Sequence, residues 1–213
     1  MSNAEALISK NKITEAINSI KESQKSDETL EVQITLKGHD FKKDKKFDWD
    51  YKLPNLKRKS EKVLLISDDS MRDLAKENNI PFLSFSEVQG TSREKKVLKK
   101  KTAKYYDSFI VFGAFHKNFE LKYFLQKRKP FYILKNKNDL VEFYENVKKT
   151  IKFKLRKTPD LSFSTGFVEM EEEKISENIF EGLNFLISLL KKKDKSIKGI
   201  VLKSSFSKPT RLF

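Results

Sequence analysis

Two kinds of hydrophobic periodicity occupy different parts of this chain, and their order constrains the fold more than any other feature. In TLEVQITLK, Leu30, Val32, Ile34 and Leu36 alternate with Glu31, Gln33 and Thr35. In FDWDYKL, Phe47, Trp49, Tyr51 and Leu53 alternate with Asp48, Asp50 and Lys52. A period of two turns one face of a strand toward a core and the other away from it. The polar stretch GHDFKKDKK, with Gly38, connects the two strands as a surface loop. The same period returns in TIKFKLR, with Ile151, Phe153 and Leu155 on one face. DLSFSTGFVEM then reads as a further strand, and Ile197 to Ser204 as the closing one.

Between these segments the texture changes. VLLIS (63–67), PFLSF (81–85), SFIVF (108–112) and FYIL (131–134) are solidly apolar. They alternate with helical stretches at 70–77, at 92–104, after Phe115 and in NDLVEFYENVKKT. Strands buried on both faces and separated by helices form a parallel sheet. The predicted fold class is therefore α+β: a split α/β domain made from both chain ends, 1–58 and 150–213, with an inserted Rossmann-like α/β domain at 59–149. Helical spacing over 4–22, read as a short helix, a break near Asn11 and a second helix, and over 172–192 supplies the helices of the split domain. The second of these carries Ile175, Ile179, Leu183, Leu186, Ile187 and Leu190 on one stripe. PNLKRKSEK (54–62) mixes Pro, Asn and Ser with charge and reads as a linker.

The chain of 213 residues holds 45 Lys and Arg against 30 Asp and Glu, a net charge of +15. That excess is larger than solubility requires and directs attention to a polyanionic partner. A membrane is the competing anion. No apolar run approaches the ~20 residues of a spanning helix, and no basic region followed by an apolar one opens the chain. A soluble, non-secreted protein without a membrane partner is expected. Cys is absent and only two His occur, neither with a partner at metal spacing, so no cofactor or metal is expected.

In LISDDS, Asp68 and Asp69 fall at the C-terminal end of the first parallel strand, where open α/β sheets bind ligands. A carboxylate pair there suits a metal or a phosphoryl group. Carboxylates at a helix N-terminus also satisfy the helix dipole, which is the simpler reading. Neither a G-x-G-x-x-G nor a G-x-x-x-x-G-K-[ST] follows that strand, and no hydroxyl has a paired His, so no enzyme is expected. REKKVLKKKTAKYY, with Val97 and Leu98 able to face a core, and LLKKKDK (189–195) fit solvated basic faces and nucleic-acid contacts equally. More informative are Lys25, Thr29, Glu31 and Gln33 on one strand and Lys203, Ser204, Ser205, Phe206, Ser207, Lys208 and Arg211 at the end of another. If those strands are neighbours, they form a hydroxyl, amide and cation surface suited to folded RNA, whose wide minor groove displays 2′-hydroxyls. An ordinary polar sheet face is the competing reading.

TLEVQITLKGHDFKKDKKF, KKVLKKKTAKYYDSF, TIKFKL, NFLISLLKKK and LKSSFSKPTRLF occur in an order that resembles the universal large-subunit ribosomal protein L one family, called L ten a in its eukaryotic form. The resemblance runs from about Leu7 to Phe213. It implies a non-enzymatic, structural rRNA-binding protein on the mobile stalk of the large ribosomal subunit, beside the tRNA exit site. The partners it implies are stalk rRNA, departing tRNA and other large-subunit components. The location it implies is the cytoplasmic ribosome, with nucleolar assembly in a eukaryote. The family's terminal Ser/Thr-Thr-Met-Gly corresponds to Ser204, Ser205, Phe206 and Ser207, and its Thr-x-Glu to Thr29 and Glu31. Ser26 stands where an aromatic is usual, and LQKRKPFY (125–132) lacks the glycines of the family's Gly-Pro-Gly-rich loop. A nucleolar assembly factor sharing the domain is the alternative, although such factors usually carry long charged extensions.

Overall fold

The computed structural model describes residues 7–23, 28–38, 47–113, 129–155, 158–190 and 193–213. The elements in chain order begin with α1 (Lys10–Ser23), β1 (Thr29–Leu36), β2 (Phe47–Lys52) and β3 (Val63–Ser67). A 3-10 turn at Asp69–Met71 leads into α2 (Arg72–Glu77), β4 (Phe82–Ser84), α3 (Phe85–Val88), α4 (Arg93–Tyr105) and β5 (Ser108–Phe112). Then come β6 (Phe131–Leu134), α5 (Leu140–Lys149), β7 (Thr150–Leu155), β8 (Asp160–Phe167), α6 (Glu172–Leu189), β9 (Ile197–Lys203) and β10 (Thr210–Arg211). Helix and sheet are mixed, as an α+β class requires. The chain divides into two compact units, residues 1–59 with 149–213 and residues 60–148.

In the first unit an antiparallel sheet is ordered β10-β9-β1-β8, and β2 pairs with β7 in a separate ribbon. The alternation along β1 has its expected result. Leu30, Val32, Ile34 and Leu36 are buried, while Thr29, Glu31 and Thr35 are half-buried and Gln33 is exposed. The buried row shares one core with Ile13, Ile17 and Ile20 of α1 and with Ile175, Ile179, Leu183 and Leu186 of α6. Gly182 lets α6 approach β8 closely, since a Cβ there would lie 2.5 Å from Cε2 of Phe163. Phe163 in turn meets Phe153 of β7 edge to face, with centroids 5.2 Å apart.

The second unit is built on a parallel sheet ordered β4-β3-β5-β6. Every residue of β3 is buried, as a strand covered on both faces must be. Ser92 caps α4 by accepting a hydrogen bond from the Lys95 amide.

Two sequence expectations are revised. Val97 does not face a core but is 46% exposed. Lys99 is buried in its place, its stem within the unit and its ammonium donating to the Gly90 carbonyl at 2.9 Å. The long helix stops at Leu189 rather than 192. The stretch read as a linker, 54–62, contains the boundary between the two units, and its first part is held in place: the Asn55 amide donates to Oδ1 of the fully buried Asn178, whose Nδ2 donates to the carbonyls of Leu56 and Thr165. The helix expected after Phe115, His39, His116 and residues 125–128 of the Gly-poor loop lie outside the described residues.

Candidate nucleic-acid interface

β1 is the hinge of the candidate surface because it pairs with β9 on one side and β8 on the other. Antiparallel partners point the same way, so the register defines rows of side chains across the sheet. Lys203, Glu31 and Ser164 form one row, and Val201, Gln33 and Ser162 the next. Gly199, Thr35 and Asp160 form a third, in which the Thr35 hydroxyl donates to Asp160 at 2.9 Å. Thr29 stands opposite Phe167 at the far end. The structure thus brings Thr29, Glu31, Gln33 and Lys203 onto the sheet face turned away from the helices. Glu31 and Lys203 oppose each other without forming an ion pair among the described residues. Lys25 lies outside the described residues.

After β9 the chain makes a tight turn and returns as β10, an element the sequence pattern does not reveal. Thr210 pairs with Leu202 and Arg211 with Val201. The turn is organised by Glu28, a carboxylate only 8% exposed at the entry to β1. The Ser204 hydroxyl donates to Glu28 Oε2 at 2.5 Å, and the Phe206 amide donates to the same oxygen at 3.3 Å. The Ser204 amide donates to the Ser207 hydroxyl at 2.8 Å, and the Ser207 amide returns a bond to the Ser204 hydroxyl at 3.1 Å. Ser204 is therefore buried at 1% exposure and shapes the turn, and its hydroxyl is committed inside the protein. Ser207 is half-buried, whereas Ser205, Lys208 and Arg211 are exposed. Phe206 is 83% exposed, an aromatic held in solvent by a hydrogen-bonded turn beside the polar face. The Arg211 Nε donates to the Phe213 carbonyl at 2.9 Å.

Residue-type reasoning missed Glu28, Ser162 and Ser164. Glu28 is 176 positions from Ser204, and no local pattern announces a bond across that distance. Ser164 was legible only as one of several serines in DLSFSTGFVEM, since its importance comes from standing opposite Glu31.

The second unit offers a weaker set of candidates. Asp68 accepts from the Ser67 hydroxyl at 2.9 Å. Burial opposes its ionisation, but hydrogen bonds from Ser67 and Ser70 and the nearby Lys137 ammonium prevail and lower its pKa. Asp69 pairs instead with Arg72 at 3.0 Å. Among the described residues no group of three His, Asp or Glu is arranged to hold a metal ion. In the basic helix α4, Lys95 donates to the carbonyls of Ser86 and Gln89, so with Lys99 it closes the end of α3. No helix among the described residues is long and apolar enough to cross a membrane.

The first unit thus has a sheet with one face packed under two helices and the other carrying hydroxyl, amide, carboxylate and ammonium groups. The family model described as "Ribosomal protein L1p/L10e family" matches residues 14–208. Large ribosomal subunit protein uL1 of Drosophila melanogaster is 33% identical over 214 residues, spanning 97% of this chain and 98% of its own. Large ribosomal subunit protein uL1B of Schizosaccharomyces pombe is 38% identical over 189 residues, 87% of each chain. The uL1 protein of Oryza sativa subsp. japonica is 33% identical over 217 residues, covering all of both chains. The chain belongs to the ribosomal protein L1p/L10e family.

Proposed function

We propose that this protein is a structural rRNA-binding component of the large ribosomal subunit, seated on the mobile stalk next to the tRNA exit site and acting in the cytoplasm after assembly in the nucleolus. The observation that carries the reading is the polar face of the β10-β9-β1-β8 sheet with Phe206 exposed at its margin. Glu31 and Gln33 accept or donate to 2′-hydroxyls and base edges. Lys203, Lys208 and Arg211 neutralise phosphates, and Phe206 stacks on an unpaired base. In this reading residues 1–58 with 150–213 form the rRNA-binding domain, 59–149 form an inserted Rossmann-like domain, and the protein's further partners are departing tRNA and other large-subunit components. Catalysis has no part in it.

The test is sedimentation of the tagged protein with large subunits, paired with titration of a stalk RNA fragment against a scrambled duplex of equal length. Co-migration with large subunits and a salt-dependent preference for the stalk fragment are expected. Equal affinity for both RNAs refutes the rRNA-specific reading.

A further inference from the structure

The row Lys203–Glu31–Ser164 has a continuation outside the sheet. Arg58, on the segment between β2 and β3, places its Nη2 3.4 Å from the Ser164 hydroxyl. Its backbone is held firmly. Asn178 ties Asn55 and Leu56 to α6 and β8, the buried Lys57 ammonium donates to the Thr150 carbonyl, and Lys59 is ion-paired with Glu169 at 2.6 Å. Arg58 alone in this stretch has a guanidinium without a carboxylate partner among the described residues. Its Nε is buried and has no hydrogen-bond acceptor there. A guanidinium carries five donors in a fixed fork, and a buried donor left unbonded is costly. A pinned, half-buried arginine beside a polar sheet face, bonded to one hydroxyl among the described residues, has donor capacity left for an anion.

The sign of the row narrows which anion. Glu31 lies between two cations, Lys203 on β9 and Arg58 beyond Ser164 on β8. Strands are ~4.8 Å apart, so Lys203 stands about one strand spacing from Glu31 on one side, and Ser164, which Arg58 reaches, stands about one spacing away on the other. A lone carboxylate would repel a nucleic-acid backbone. Placed between two cations, it can accept from a ribose 2′-hydroxyl while the flanking groups meet phosphates, and Arg suits phosphate because its fork bonds two oxygens.

We infer that Arg58 is a phosphate-binding residue of the RNA site, completing an Arg58–Ser164–Glu31–Lys203 row that takes one stretch of ribose-phosphate backbone. The inference rests on the function proposed above and adds a residue from outside the two strands that suggested it.

The probe is a stalk RNA fragment, titrated with the full chain between 50 and 200 mM salt. Loss of one phosphate contact reduces the magnitude of the log-log salt slope by about 0.7–0.9. Arg58→Gln then starts with weaker binding at 50 mM, and its deficit shrinks by about threefold at 200 mM. Arg58→Lys keeps the slope because a point charge remains. Lys59→Gln, one residue away and already paired with Glu169, leaves it nearly unchanged. An Arg58→Gln slope equal to that of the wild type overturns the inference whatever the melting temperature, and so does an equal change in Lys59→Gln. A readout that needs no substitution is phenylglyoxal modification of the wild-type chain with peptide mapping: bound RNA should protect Arg58, and lack of protection overturns the role. If the wild type prefers the stalk fragment but Arg58 is unprotected, only this inference fails. If the wild type shows no preference for that fragment, the proposed function fails and the inference falls with it.

Discussion

The turn that presents Phe206 depends on a carboxylate that does not itself face solvent, and removing it is the sharpest perturbation of the site. Glu28 Oε2 accepts from the Ser204 hydroxyl and the Phe206 amide at 8% exposure. A hydrogen bond to a charged group contributes about 1.5–3 kcal/mol and a neutral one about 0.5–1.5 kcal/mol. Glu28→Gln keeps an acceptor at the same place and loses the charge, so it should cost about 1 kcal/mol. Glu28→Ala loses both bonds and should cost about 2–4 kcal/mol, moderated by the two remaining bonds between Ser204 and Ser207. The turn is a terminal element, so the loss should appear as local opening before it appears as global unfolding. At about 1.4 kcal/mol per tenfold, protection of the Phe206 amide against hydrogen exchange should fall about fivefold in Glu28→Gln and about 25-fold or more in Glu28→Ala. Stalk-RNA affinity should fall in the same order, because an unpinned Phe206 loses conformational freedom on binding. Exchange at Phe206 and Ser207 that is unchanged in Glu28→Ala would refute the account of how the aromatic is held.

Phe206→Ala should weaken RNA binding by about 1–3 kcal/mol and Ser205→Ala by about 0.5–1.5 kcal/mol. Dissociation constants measure the loss, with thermal melts as the folding control. Gly182→Ala should destabilise the first unit, because the new methyl meets Cε2 and Cζ of Phe163 at 2.5 and 2.7 Å. Overpacking of about 1–3 kcal/mol, partly offset by about 1 kcal/mol of helix propensity, predicts a melting temperature lower by a few degrees in a calorimetric scan. Tyr51 has its hydroxyl pushed up to about 12 by burial, by donation to Glu181 at 2.8 Å and by that carboxylate's charge. Its folded pKa lies above the unfolded value of 10.0, so its contribution is complete below pH 10 and is lost as the pH rises from about 10 to 12. Tyr51→Phe should flatten the decline of stability over that range in urea melts.

Element type was legible wherever a period repeated. Alternation in TLEVQITL and TIKFKL became β1 and β7, and the unbroken apolar run VLLIS became a strand buried throughout. The failures share a physical cause. Val97 lies in a lysine-rich helix where an apolar side chain is the natural candidate for burial. The stem of Lys99 is apolar too, and its ammonium found an acceptor at Gly90, so the lysine went inside. Residues 54–62 were legible as a linker from their lack of periodicity and do contain the boundary between the units, but the bonds by which Asn178, from a helix 120 or so positions away, holds Asn55 and Leu56 lie in no local window. β10 has only two residues, too short to show any period. In the candidate site, Thr29, Glu31, Gln33 and Phe206 could be named from residue type, while Glu28, Arg58 and Ser164 depend on register and on contacts across more than 100 positions.

The charge shows the same division between what is counted and what is placed. A net +15 points to a polyanion, but many ammoniums in this chain are occupied within the protein. Lys21 donates to the Met170 carbonyl, Lys95 to those of Ser86 and Gln89, and Lys152 lies between Asp48 and Asp50 across the β2–β7 ribbon at 3.1 and 3.5 Å. Each such lysine stabilises a loop end or a strand pair and adds only diffuse attraction for a distant phosphate, which salt screens within about 10 Å. Lys203 and Arg58 differ in kind. Lys203 stands opposite Glu31 and Arg58 reaches Ser164 in the same row, neither has an internal carboxylate partner among the described residues, and both are fixed by a strand or a pinned segment. Specific RNA affinity should therefore follow these few placed cations, and the nonspecific background should follow the total. Neutralising an internally bonded lysine such as Lys95 would lower stability more than it lowers discrimination between RNAs.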